Sequence, residues 1–416
     1  MSRSDSLPAA APAHPTLDAD RRARAAALAC MLGLAAALGV GRFAFTPLLP
    51  LMLADGTVDL GAGGWLASAN YAGYFVGALS CAAVRVAPAR MVRFGLAATV
   101  LLTAAMGVGH PLALLLAVRF VAGVVSAWTF VFVSQWGLRR LAELHAPEWG
   151  GVIFAGPGVG IVLTGLIGRA LAGQRAALGW FGFAALSAVL AAVIWRVFGA
   201  ARPATPRPAG GAAPGEPARA AVHPPAANRG DTVWLVVLYG LPGFGYIITA
   251  TFLPVIARAV LPAGSPWPDL FWPMFGAAVI VGALAASRLP AHWDNRLLLA
   301  AGCALQAAGV ALGIVWPSVL GLALGSMLLG LPFTAITLFA MREARRLHGD
   351  RAAGLMGYAT ASYGIGQIAG PLVAAPLVAQ AGSFAPALWV AAASLAVGAA
   401  GFVAQARCSG RAARAS

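Results

Sequence analysis

The chain of 416 residues is 60% hydrophobic and only 10% charged, with a formal net charge of +15 and a mean hydropathy of +0.82. No soluble domain of this length carries that balance, so the composition describes a polytopic membrane protein. The basic residues lie in short loops between apolar runs, which marks them as topology signals and excludes nucleic acid as the partner of the positive charge.

The first 24 residues are small and polar, end in Arg21, Arg22 and Arg24, and are expected to form a cytoplasmic tail. The apolar run behind them is much longer than the roughly 7–15 residues of a signal-peptide core, so it reads as a retained first helix. Apolar runs follow at 25–53, 63–84, 91–109, 111–138, 149–171 and 177–198, then at 232–257, 268–287, 296–315, 317–341, 351–379 and 384–405. Each is close to or above the about 20 residues that a bilayer crossing requires. Residues 199–231 hold seven prolines and no apolar periodicity, the composition of a flexible cytoplasmic linker. A second cytoplasmic tail is expected at 406–416. The expected fold is all-α and integral to the membrane, with 12 transmembrane helices as two six-helix pseudo-repeats at 25–198 and 232–405.

One arginine interrupts the first run, within Gly39-Val40-Gly41-Arg42-Phe43-Ala44-Phe45-Thr46-Pro47-Leu48-Leu49-Pro50. At helical rise Arg42 falls roughly 4 Å outward of the midpoint between Arg24 and Asp55. An ionised group at that depth costs about 2.5–3.5 kcal/mol on insertion scales, so it is expected to face a wet, protein-lined interior rather than lipid. Pro47 removes the hydrogen bond to the Phe43 carbonyl and Pro50 the one to Thr46, so the helix should bend here. A buried charge beside freed carbonyls reads as a binding site on a helix that moves.

All 28 basic residues are arginine. Without lysine there is no Walker A motif and no Schiff-base chemistry. The four cysteines, Cys30, Cys81, Cys303 and Cys408, are scattered and form neither a disulfide framework nor a zinc site. No cofactor and no metal are expected. Placing the N-terminus inside assigns 23 arginines to the cytoplasm and only Arg169, Arg175 and Arg258 to the other side, which puts both termini in the cytoplasm and suits an inner, cell membrane. The halves also repeat: Gly41 to Pro50 matches Gly245 to Pro254, and Gly77-Ala78-Leu79 recurs as Gly282-Ala283-Leu284, at offsets of 204 and 205. A parallel six-helix repeat is an arrangement of transporters that bind substrate between the halves near the midplane.

These features resemble the major facilitator superfamily over essentially the whole chain, and the stretch 39–50 resembles the opening signature of its YbfB/YjiJ-like branch. Leu115-x-x-x-Arg119-x-x-x-Gly123 is similar to the superfamily's fourth-helix arginine motif, with Ala122 where glutamine is common. Gly156-Pro157-x-x-Gly160 is similar to the fifth-helix motif of antiporters, with Val152 where a glycine is expected. The loop after Gly77-x-Leu79 keeps its arginines and lacks the usual acid. The resemblance implies alternating access and a pathway lined by the first and fourth helices.

Arg119 lies roughly 8 Å outward of the centre of the fourth run, near the depth of Arg42, so the two could share one cavity; alternatively Arg119 is structural and binds carbonyls of a neighbouring helix. All 13 acidic residues and all six histidines fall outside the run interiors, with Asp55, Asp59, Glu143 and Glu148 in loops. An arginine in a wet cavity with no acid to pair it attracts an anion, and its planar fork suits a carboxylate. The repeat places Tyr246 opposite Arg42 and Ser326 near the position of Arg119, so the charge belongs to the first half and hydroxyls, aromatics and Gln367 to the second. The candidate substrate-binding set is Arg42, Arg119, Thr46, Asn70, Tyr74, Trp128, Tyr246, Tyr358, Tyr363 and Gln367, with Tyr71 beside them. Candidate hinge and sliding positions are Pro47, Pro50, Pro254, Gly156, Pro157, Gly160, Gly366 and Gly370. The reading is a non-enzymatic, monomeric carrier in the lipid bilayer for a small organic anion, a carboxylate. Export of lipophilic or cationic compounds is the alternative, and a non-transporting receptor or scaffold a more distant one.

Overall fold

The computed structural model describes residues 15–109, 111–199, 229–290, 292–349 and 352–415. Most of the linker expected at 199–231 and of the N-terminal tail lies outside them, as do the side chains of 15–18, 229, 353 and 409–415. The first half comprises α1 (Pro15–Leu34), a π-helical turn (Ala35–Val40), α2 (Phe45–Ala54), α3 (Leu60–Ser80), α4 (Pro88–Met106), α5 (Leu112–Glu143), α6 (Gly150–Phe154), α7 (Gly156–Ala170) and α8 (Ala176–Ile194). The second comprises α9 (Arg229–Val260), α10 (Phe271–Arg288), α11 (Asn295–Val315), α12 (Val319–Gly330), α13 (Phe333–His348), α14 (Ala352–Ala381) and α15 (Ala385–Ala415).

Among the described residues, 11 helical stretches are long and apolar enough to cross a membrane. The second expected span is the exception. α3 has 21 residues, about 32 Å at 1.5 Å rise, but Gly, Ser, Asn and Tyr lower its apolarity. The physical reason is its position: α3 is sandwiched between α5 and α14 and so faces protein more than lipid. Several ends differ from the sequence reading. α1 starts at Pro15 and α15 runs to Ala415, so helix occupies much of both expected tails, and α9 takes the last residues assigned to the linker.

Three spans are interrupted, and each interruption has a local cause. In the first, the Gly41 and Phe43 N–H groups donate to Ala36 and Leu38, five residues back, at 3.0 Å each, which is π geometry. Gly39 and Gly41 weaken the ordinary helix here. Pro47 has no N–H to offer the Phe43 carbonyl, and the Thr46 N–H takes that carbonyl at 3.3 Å. The break therefore lies at 41–44, ahead of Pro47, which sits harmlessly in the first turn of α2; only Pro50 is inside that helix. Its repeat mate α9 stays one continuous helix through Pro242 and Pro254. The other breaks are at Ala155, before Gly156 and Pro157, and at Leu331-Pro332.

The halves meet through α3 on α14, α7 on α10 and α2 on α9. At the end bearing the 55–59, 172–175 and 261–270 loops, one continuous apolar cluster joins both halves, from Phe45, Leu48 and Trp180 to Phe252, Phe271 and Ala387. At the end bearing the termini each half keeps its own cluster, around Cys30, Val133 and Ile194 in one and Leu235, Phe339 and Phe402 in the other. Among the described residues, five hydrogen bonds cross between the halves, and all five lie at Arg42 or toward the shared end. They run from Arg42 to Gln367, Thr46 to the Ala250 carbonyl, Ser68 to the Ile368 carbonyl, Tyr71 to Thr251 and Arg169 to the Pro266 carbonyl. At the terminal end Glu343, which the sequence places beyond a helix, is inside α13 and fully buried, because Arg346 holds it at 2.7 Å and Arg296 lies 3.8 Å away.

Glycines let α3 and α5 approach until backbone meets backbone. A Cβ on Gly123 would lie 2.0 Å from the Asn70 carbonyl oxygen, and one on Gly73 would lie 1.8 Å from that of Phe120. Gly123→Ala is therefore expected to force the helices apart at a cost of about 1–3 kcal/mol. Gly182→Ala, whose new methyl would meet only Leu171 at 3.7 Å, should be neutral. Thermal midpoints and size-exclusion profiles of the two purified variants make the comparison; equal midpoints would refute the close crossing.

Candidate functional site

The π turn and break aim Arg42 into the seam between the halves, where it is only 5% exposed. Its Nη2 donates to Gln367 Oε1 at 2.7 Å, and Gln367 Nε2 donates in turn to the Tyr246 hydroxyl. The guanidinium carbon lies 4.1 Å over the Tyr74 ring, 5.0 Å from Tyr71 and 5.3 Å from Phe43. Ring faces carry negative quadrupole density, so these three partly replace the hydration the cation has lost. Its Nε has no partner, an unused donor in a buried group.

Arg119, on α5, does something different. Its Nη2 donates to the Arg42 carbonyl at 3.3 Å and its Nε to the Leu66 carbonyl at 3.4 Å, while its guanidinium lies 5.0 Å over Phe45. The Arg42 carbonyl is left open because the Thr46 N–H has gone to Phe43. Arg119 thus satisfies a carbonyl that the break frees and ties it to α3. Asn70 completes the corner by donating to the Arg119 carbonyl at 3.0 Å. Of the two roles the sequence leaves open for Arg119, this geometry is the carbonyl-binding one.

Beyond Gln367 the seam is aromatic. Tyr246 stacks on Tyr363 with centroids 5.9 Å apart, Tyr363 meets Tyr239 at a tilt at 4.9 Å, and Tyr246 meets Phe333 at 5.1 Å. Phe43 reaches across the seam to Phe333 at 6.0 Å and Trp272 at 6.1 Å. Of the sequence candidates, Arg42, Arg119, Thr46, Asn70, Tyr74, Tyr246, Tyr363 and Gln367 come together here. Two do not. Tyr358 is 72% exposed near the start of α14, because it lies on that helix's open face, where a Cβ on Gly354 or Gly357 would meet nothing within 4 Å, while the opposite face packs through Ala352, Leu355 and Ala359. Trp128, midway along α5, donates to Ser80 Oγ at 2.9 Å and packs against the terminal-end cluster of the first half instead. Phe43, Phe333, Trp272 and Tyr239 join the cluster without having been singled out; the visible signal for Phe333 was Pro332 inside an apolar run, which breaks the helix just before it.

The hinge candidates act by contact. A Cβ on Gly39 would lie 2.3 Å from the Gly160 Cα, one on Gly156 2.3 Å from the Met31 carbonyl oxygen, and one on Gly366 2.5 Å from that of Gly240; one on Gly370 would meet Ile247 at 2.4 Å. These glycines press α7 against the first span and α14 against α9. In the second half, Ser326 lines a cavity of about 20 Å³ with Thr249, large enough for one water. The loop acids stay outside. Asp55 and Glu148 are both exposed. Burial would raise the Asp55 carboxyl, but hydrogen bonds from Thr57 and the Ala176 N–H and the charge of Arg175 outweigh it and hold the group below its ordinary range.

A family model described as "Uncharacterised MFS-type transporter YbfB" matches residues 34–403. The chain belongs to the YbfB-type MFS transporters. It is 29% identical over 376 residues to a "Chloramphenicol resistance protein" of Streptomyces lividans, with 85% of this chain and 89% of that protein covered. The crystal structure of the nucleoside transporter NupG, as its D323A mutant, superposes with a TM-score of 0.67 at 15% identity, covering 91% of this chain and 99% of that one. At that identity the likeness concerns the fold alone.

Arg42 is already buried and charged, so an added carboxylate would meet a desolvated partner rather than have to desolvate one. Gln367→Glu should convert the neutral bond across the seam into a charge-assisted pair, roughly twice as strong. The expected outcome is a higher unfolding temperature of the purified protein, with Gln367→Leu lower than wild type. A Gln367→Glu melting at or below wild type would show that the bond across the seam is not held in solution.

Proposed function

We propose that this protein is a carrier for a small organic anion, a carboxylate, and that it works by alternating access between two six-helix bundles at 25–198 and 232–405. The observation that carries the reading is Arg42: a buried guanidinium in the seam, with a spare Nε donor and a neutral amide as its cross-seam acceptor. Among the described residues the one fully buried acid is Glu343, which is engaged with arginines at the far end of α13. A substrate carboxylate reaching Arg42 would take the place of the Gln367 carbonyl and offer two acceptors to the planar fork. The shared core and the bonds across the seam on one side of Arg42, against separate cores on the other, support entry from the end bearing the termini. In this reading the protein works as a monomer in a cell membrane with both termini in the cytoplasm, the side where most arginines lie.

A second reading, export of a lipophilic compound, is supported by the relative named as a chloramphenicol resistance protein and by the aromatic lining. A cationic cargo fits poorly, since Arg42 would repel it.

Arg42→Lys keeps the charge but loses the planar fork, so carboxylate uptake into proteoliposomes should fall by about tenfold or more while the protein still inserts. Uptake by Arg42→Ala at the wild-type rate would end the assignment.

Coupling follows from the same inventory. Arginine stays charged at neutral pH and tyrosine is a poor proton carrier there, and among the described residues no carboxylate or imidazole lies beside Arg42 to carry a proton by itself. A pH gradient without substrate is therefore expected to drive no proton movement in proteoliposomes. A substrate-free proton leak abolished by Asp55→Asn or Glu148→Gln would place the protein among proton antiporters instead.

A further inference from the structure

We infer that the anion this carrier recognises is an aromatic carboxylate, an inference that rests on the carboxylate reading above and adds the body of the substrate to its charge. Five of the chain's six tyrosines lie in one continuous array at Arg42. Tyr74 and Tyr71 flank the guanidinium, Tyr246 is bonded to the amide that the guanidinium holds, and Tyr363 and Tyr239 continue the array.

Packing alone does not account for that choice. The chain contains 19 phenylalanines, which fill an apolar seam without a hydroxyl to satisfy. A buried tyrosine hydroxyl needs a partner, as Tyr71 finds in Thr251 at 2.9 Å and Tyr239 in Thr337 at 3.1 Å. Both residues present a flat ring face for stacking; what tyrosine adds is a polar edge, which suits the ring to a seam that a charged group enters. The array belongs to both halves, Tyr71 and Tyr74 on α3 and Tyr239, Tyr246 and Tyr363 on α9 and α14, so it opens and closes with the seam. A planar ring entering there with its carboxylate toward Arg42 would find ring faces on either side. The Arg42 Nε, buried and without a partner on a guanidinium that lies over Tyr74 and Tyr71, supplies the second donor that a carboxylate requires. An aliphatic acid would meet the same charge and gain none of the ring stacking.

The test is the unfolding temperature of the purified full-length protein titrated separately with benzoate, cyclohexanecarboxylate and benzyl alcohol. The two acids share charge and size and differ in the flat ring; the alcohol keeps the ring and loses the charge. Benzoate is expected to stabilise with a half-saturating concentration about tenfold below that of cyclohexanecarboxylate, the upper range for ring–ring contact, and benzyl alcohol to give no shift. Equal stabilisation by the two acids overturns the aromatic inference and leaves the carboxylate reading standing. Stabilisation by benzyl alcohol alone, or by none of the three, overturns both. Tyr74→Leu should reduce the benzoate preference to near parity and Tyr74→Phe should retain it; a full preference in the leucine variant also overturns the inference. Where Tyr74→Leu fails to fold, Tyr363→Leu gives the same readout.

Discussion

A guanidinium that can reach neither water nor lipid headgroups must be accommodated by the protein around it, and much of this fold is arranged to do so. Arg42 is buried because the first span carries it to the seam, and it stays tolerable there because rings and one amide surround it. The amide and its tyrosine come from the opposite half. The most costly group in the seam is therefore solvated by both halves at once, and it is least comfortable when they part. In the proposed reading, a substrate that brings its own negative charge would compensate at that moment.

The break that positions Arg42 is held by short-range constraints. Glycines at 39 and 41 and proline at 47 make an unbroken helix unfavourable, the π turn takes up the mismatch, and the Gly39–Gly160 contact clamps the turn against α7. The carbonyl that the break exposes is met by Arg119. Two arginines that look alike in the sequence thus divide the work: one presents its donors to the seam, the other spends them on backbone. The second half lacks both charges and needs neither device, which fits the uninterrupted α9 and the one-water cavity where Ser326 stands.

The distribution of apolar clusters adds a direction. One cluster spans both halves on the side of the 55–59 and 261–270 loops, whereas the terminal side has two. Packed cores rearrange by moving as blocks rather than by stretching. A motion that opens the shared end would have to break the five bonds across the seam and the aromatic contacts of Phe43 together. The terminal side asks for less, since its clusters are already separate.

Fold class, repeat and the central arginine were legible in the chain, because bilayer length, charge placement and the cost of a buried ion act on local sequence. Gln367, Tyr246 and Tyr74 were legible as polar or aromatic residues in apolar runs. Their partnership with Arg42 was not, since it joins positions 325 residues apart in the case of Gln367. Helix ends were misjudged where an amphipathic continuation, such as α13 with buried Glu343, carries charge that only its arginine partners make tolerable. Arg119's task and the exclusion of Tyr358 and Trp128 depended on which face each helix turns to its neighbours. Sequence alone determined that a cation would sit in the membrane and need company. Tertiary structure decided the company, because only the packing of α3, α9 and α14 around the broken first span brings those side chains within reach.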